Sequence, residues 1–124
     1  MNTLKFTSNW NNKLACPAFG TVRLDNEEKY GLGRRFQVWL NGRELGRARV
    51  VSYKRFHFDT LNDALAYLDT GHDAAYLRAV LGKMYPLTAW DRQLLCHVVL
   101  VWETPVPVVA PKRHLIEENQ LFTA

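Results

Sequence analysis

The chain opens on alternation: in residues 3–7 (TLKFT) polar and apolar side chains take turns, the period of a short strand. Ser8 then stands where an N-cap belongs. A helix through Asn9–Ala15 follows, with Trp10 and Leu14 one turn apart and Pro17 as its stop. Strand character returns in Gly20–Leu24, and Asn26–Gly33 reads as a polar loop. The sharpest local signal comes next. Phe36, Val38 and Leu40 alternate with Gln37 and Trp39, Asn41-Gly42 supplies a tight turn, and Leu45 to Tyr53 resumes the extended pattern. This predicts a hairpin.

Two helical stripes follow. Thr60-x-x-Asp63 resembles a capping box ahead of Leu61, Ala64, Leu65 and Leu68, and after Thr70-Gly71 a second stripe carries Leu77, Val80, Leu81 and Met84 up to Tyr85-Pro86. Both stripes are assigned to the core. Cys96–Trp102 (CHVVLVW) is nearly all apolar, as expected of a strand covered on both faces. Beyond it, Pro105, Pro107 and Pro111 favour an extended segment, and Lys112–Ala124 fits a short helix or a tail. The order β-α-β-β-β-α-α-β predicts an α+β fold: a small, mostly antiparallel sheet or barrel with flanking short helices. One domain over residues 1–104 is expected, with a Pro-rich extension over 105–124 packed on it or trailing from it.

Composition adds a direction rather than an answer. The 124 residues carry sixteen Lys and Arg against twelve Asp and Glu, a net charge of +4. The excess is unevenly spread. Residues 34–55 hold Arg34, Arg35, Arg43, Arg47, Arg49, Lys54 and Arg55 against Glu44 alone, whereas residues 59–73 hold four Asp and no Lys or Arg. Such a basic stretch suits an anionic partner. Cys16 and Cys96 lack the spacing of a metal or redox motif. The polar start does not resemble a signal peptide, so reduced thiols in the cytoplasm are expected. The longest apolar run is too short to span a bilayer, and no membrane association is expected. The four histidines (57, 72, 97 and 114) form no HxxxH or HExxH pair, and no P-loop, GxGxxG or GxSxG is present. No metal and no cofactor are expected.

The segment LKFTSNWNNKLACPAFGTVRL resembles the opening of ASCH domains, small members of the PUA-like superfamily. There a first strand, a short helix and a Gly-x-Lys turn precede a Thr-hydrophobic-Arg strand, which Thr21-Val22-Arg23 matches. FDTLNDALAYLDTGHDAAYLRAVLGKMYP resembles that family's helical insertion, including the exit at Tyr85-Pro86. The resemblance spans roughly residues 3–103. It implies a small PUA-like β-barrel with a cleft beside the Thr-x-Arg strand, and association with RNA. For one subgroup it implies hydrolysis of N4-acetylcytidine by a Lys, a Thr and a Glu. The Thr falls on Thr21 and the motif Arg on Arg23. The Gly-x-Lys turn falls on Cys16-Pro17-Ala18, so Ala18 stands at the lysine's position, and the carboxylate falls on Thr70 with Asp69 beside it.

The expected function is therefore recognition of RNA, single-stranded nucleic acid, a nucleoside or a nucleotide in a basic cleft. The ligand-binding candidates are Arg23, Arg47, Arg49, Tyr53, Lys54, Arg55 and Tyr85. Cations would hold phosphates and rings would stack on bases. For Arg23 the plainer reading is a structural ion pair, with Asp69 or Glu103 as partner. A second expectation is a hydrolase of an acylated nucleoside, or a ribonuclease, centred on Thr21 and Asp69, with Lys13 or Lys54 as sources of the missing amine. A third is a protein-interaction module with a protein partner. Of the four tryptophans, Trp39 and Trp90 are the candidates for a stacking surface, and the rest read as core.

Overall fold

The computed structural model describes residues 1–109. The expected terminal helix or tail over 112–124, and with it the distal part of the Pro-rich extension, lies outside those residues. Five strands form one curled mixed sheet, a half-barrel: β1 (Asn2–Phe6), β2 (Ala18–Leu24), β3 (Arg35–Leu40), β4 (Arg43–Phe56) and β5 (Leu95–Trp102), in the order β1-β3-β4-β5-β2. Three of the four pairings are antiparallel. The pair β1–β3 is parallel, with Leu4 opposite Val38. The expectation of a small α+β fold with a mostly antiparallel, barrel-like sheet holds at that level.

The predicted hairpin is present because Asn41 and Gly42 take φ of 49° and 81°, which matches the turn to the strands' twist. The final apolar strand is central, between β4 and β2. One face of the sheet curls around Leu4, Phe6, Phe19, Phe36, Val38, Val50, Val98 and Leu100, and Leu14 and Tyr30 close the ends of this core. The other face carries a second core, in which Val22 and Leu95 meet Leu61, Ala66, Ala74, Leu77 and Leu81.

Helices α1 (Glu27–Tyr30), α2 (Asp63–Thr70) and α3 (Ala74–Met84) flank the sheet. Each begins at an Asx side chain that accepts a backbone N–H three residues on: Asn26 from Lys29, Asn62 from Leu65, Asp73 from Tyr76. The cap of α2 is thus Asn62. Thr60 instead donates its hydroxyl to the His57 carbonyl, and Asp63 accepts from the Ala74 N–H, so the expected capping box does not form. The short α1 sits inside what reads in sequence as a loop.

The helix expected over 9–15 is a 3-10 segment, Trp10–Ala15, broken by Asn11 and Asn12 at φ 55° and 54°. Ser8 does not cap it. Asn9 precedes it without a side-chain cap bond, its Oδ1 accepting instead from the Leu14 N–H at 2.9 Å. The largest correction concerns α2. Leu61 is buried, but Leu68 is 69% exposed, and the helix presents Ala66, Asp69 and Thr70 inward instead. In α3, Leu77 and Leu81 are core as expected, and Met84 is exposed.

Candidate functional site

Strands β1 and β2 are the two ends of the sheet and share no ladder. Arg23 spans the seam between them, donating from Nη2 to the Lys5 carbonyl at 3.1 Å. Beside this seam lies a cleft of about 190 Å³ lined by β1, β2, the 3-10 segment, α2 and α3. Its volume is below the roughly 300 Å³ at which pockets for drug-sized ligands begin, and suits one small group such as a base.

Thr21, Val22 and Arg23 of β2 all line this cleft. Phe19, Thr21 and Arg23 share the concave face with the first core, while Val22 turns to the helices. Thr21 is buried, and its Oγ accepts from Arg23 Nε at 3.1 Å. The Arg23 guanidinium also lies over the Phe6 ring, 4.8 Å from its centroid. Neither Asp69 nor Glu103 pairs with Arg23. Among the described residues it has no carboxylate within ion-pair distance, so its remaining N–H donors are available to a ligand.

Asp69 reaches the cleft from the last turn of α2, where the helix dipole disfavours a negative charge. Its counter-charge is Lys13. The two form an ion pair with side chains only 7% and 8% exposed. Lys13 is the residue that sequence reasoning placed only loosely. The position matching the expected lysine, Ala18, is exposed at the start of β2, and an amine arrives instead from the preceding segment. The left-handed pair Asn11-Asn12 folds that segment back so that Trp10 and Lys13 both line the cleft. Burial holds the Lys13 pKa below its ordinary value of 10.5, and the charge and hydrogen bond of Asp69 oppose that shift without cancelling it.

The structure thus brings Thr21, Arg23 and Asp69 together and adds Lys13. It does not bring the basic hairpin to the same place: Arg47, Arg49, Tyr53, Lys54 and Arg55 do not line the cleft. Arg49 and Arg35 both pair with Glu103, at 3.3 and 3.0 Å. Arg55 pairs with Asp25 at 3.0 Å and with Glu27. The Tyr53 hydroxyl donates to Asp25 and accepts from Arg55, so its ring is tied into this network. Arg47 and Lys54 are exposed on β4. Tyr85 packs at the edge of the second core, and burial raises its pKa while the charge of Arg23 opposes the rise. Of the two tryptophans proposed for stacking, Trp90 is stacked on Phe58 at 4.2 Å and Trp39 has its Nε1 buried; Trp10 is the one that lines the cleft.

Two further features bound the chemistry. Cys96 is buried in the first core, which pushes its thiol pKa up to about 12, and Cys16 is exposed; neither is in a disulfide. Among the described residues no group of three His, Cys, Asp or Glu is arranged to hold a metal ion, and no helix is long and apolar enough to cross a membrane. Comparison with family models, with curated proteins and with solved structures returned no match.

Proposed function

We propose that the cleft binds a nucleoside or nucleotide and hydrolyses an acyl amide on it, N4-acetylcytidine being the model substrate. One observation carries this reading: a buried lysine with a lowered pKa, a buried threonine, a carboxylate and an arginine that has no carboxylate partner among the described residues line the same small cleft. Amide hydrolysis needs a nucleophile, a base to take its proton and a donor for the oxyanion. Thr21 is the nucleophile. Arg23, already donating to its Oγ, favours the alkoxide and supplies a donor for the tetrahedral oxyanion. Lys13 in its neutral form accepts the proton and returns it to the departing exocyclic amine, and Asp69 orients the Lys13 amine. Water then releases the acyl group from Thr21. No hydrogen bond joins Lys13 to Thr21 among the described residues, so the proton passes through a substrate or solvent atom in the cleft.

Recognition of a small ligand is favoured over recognition of a polynucleotide track because several hairpin cations are already matched by Glu103, Asp25 and Glu27. The test is product analysis after incubation with N4-acetylcytidine and, separately, with RNA containing it. Turnover of the free nucleoside supports the reading. Turnover confined to RNA would move recognition back to the basic hairpin. Inertness toward both would overturn the proposed hydrolysis.

A further inference from the structure

The chemistry above leaves one wall of the cleft without a role. Trp10 lines it, at the start of the 3-10 segment, and its indole is held by two edge-on aromatic neighbours. His72, from the connection between α2 and α3, lies 6.4 Å away at 87°, and Tyr76, from the first turn of α3, lies 5.9 Å away at 70°. His72 and Tyr76 are themselves in contact, with centroids 4.0 Å apart. Two nearly perpendicular contacts fix the plane of a ring more firmly than one, because rotation of the indole disturbs both. Most of the remaining apolar lining, Leu77, Val80, Leu81 and Met84, comes from α3, with Phe6 of β1 and Val22 of β2 beside it. An oriented indole beside an aliphatic helix face is a setting for a flat ring, not for a branched or linear acyl amide.

We propose that Trp10 is the stacking platform of the cleft, and that the ligand it selects is a planar heterocycle of nucleobase size. This deepens the function proposed above and rests on it for the identity of the cleft, but it is separable: stacking is tested by binding, hydrolysis by turnover. Trp10 thereby acts as a specificity-determining residue, touching the ring and not the scissile bond. Every nucleobase has a π-face, so the platform by itself is tolerant of which base it holds. Discrimination among bases falls to the polar groups at the other end of the cleft, Thr21 and Arg23.

The experiment uses the full chain, with cytidine as the planar probe and N-acetylglycine as a non-planar amide. Affinity is measured by calorimetry and the indole is monitored by tryptophan emission. Cytidine is expected to bind and to quench emission. Trp10→Phe, which keeps a ring, should retain affinity within a few-fold while losing the quench, which assigns the signal to Trp10 against Trp39, Trp90 and Trp102. Trp10→Leu should lose at least tenfold in affinity; should it fail to fold, the Phe variant alone decides the assignment. Cytidine binding with Trp10 quenched but without hydrolysis of N4-acetylcytidine would support the platform and overturn the hydrolysis. Turnover of N-acetylglycine with no binding of cytidine would overturn the platform and leave amide hydrolysis standing. A quench unchanged in Trp10→Phe would also overturn it.

Discussion

Lys13 and Asp69, 56 residues apart in the chain, meet as a buried ion pair in the wall of the cleft. The pair ties the segment between β1 and β2 to the end of α2 and so fixes one side of the cleft. Removing one partner strands a charge in a dry place, at a cost of about 3–5 kcal/mol. Lys13→Met and Asp69→Asn should each lower the urea midpoint accordingly. The double variant Lys13→Met/Asp69→Leu should recover much of the loss, because no charge is then left buried. A strictly additive loss in the double variant would show that the two residues are not coupled.

The lowered pKa of Lys13 gives the proposed reaction a pH dependence. Lys13 must be neutral to accept a proton, so kcat/KM should rise with pH along a limb centred below the ordinary lysine value of 10.5. Lys13→Arg keeps the charge but holds its proton throughout, and should abolish turnover at every pH. A pH profile unchanged in that variant would remove Lys13 as the base.

His97 faces the opposite side of the sheet from the first core, and burial holds its pKa below 6.5, opposed by the charge of Asp69. Its Nε2 is buried and has no hydrogen-bond partner among the described residues. Because the folded pKa is the lower one, the unfolded chain binds more protons in the window below about 6.5, so His97 costs stability progressively as pH falls through that value. His97→Phe should flatten this part of the acid-denaturation curve. An acid limb identical to that of the wild type would show that other groups set it.

Gly20 is required by that same histidine. A Cβ at position 20 would lie 2.6 Å from His97 Nε2, too close for the ring to stay where it is. Gly20→Ala should destabilise by about 1–3 kcal/mol, the usual cost of overpacking. His97→Ala in the same chain should relieve most of it, since the obstruction is one side chain and not backbone. Thermal melts of the two single variants and the double variant test this directly.

How much of this was legible in the chain varies with the kind of signal. The hairpin was readable because Asn41-Gly42 dictates its own backbone, and β5 because a run that is apolar but for His97 has nowhere to go but a covered strand. Helix α2 misleads, because its leucine stripe is the usual mark of a buried face. Here the inward face is Ala66, Asp69 and Thr70, a choice made by tertiary contact with Lys13 and by the Thr70 hydroxyl bonding back to the Ala66 carbonyl. A stability comparison makes the point measurable: Leu61→Ala should cost about 2–5 kcal/mol, as expected for a core leucine. Leu68→Gln should stay within about 0.5 kcal/mol.

Part of the site was legible for the same reason. Thr21 and Arg23 are placed by strand alternation, which a sequence displays. Lys13 is placed by two left-handed asparagines: asparagine tolerates that conformation, but Trp-Asn-Asn-Lys does not show that both adopt it in place of an ordinary helix start. The basic hairpin drew attention through its charge count, yet charge counts do not show pairing. Arg35, Arg49 and Arg55 have found carboxylates that lie far away in the chain or in a segment that reads as loop.

The central claim is that Lys13, Thr21, Arg23 and Asp69 act as one hydrolytic site, and the measurement that tests it most directly is a time course of cytidine release from N4-acetylcytidine. Wild type, Thr21→Ala and Arg23→Ala are compared, each first checked for native circular dichroism. The account predicts turnover by the wild type and a loss of about 100-fold or more in both folded variants, the scale on which an oxyanion donor or a nucleophile matters. Equal rates in wild type and Thr21→Ala, or no turnover by a well-folded wild type, would contradict it.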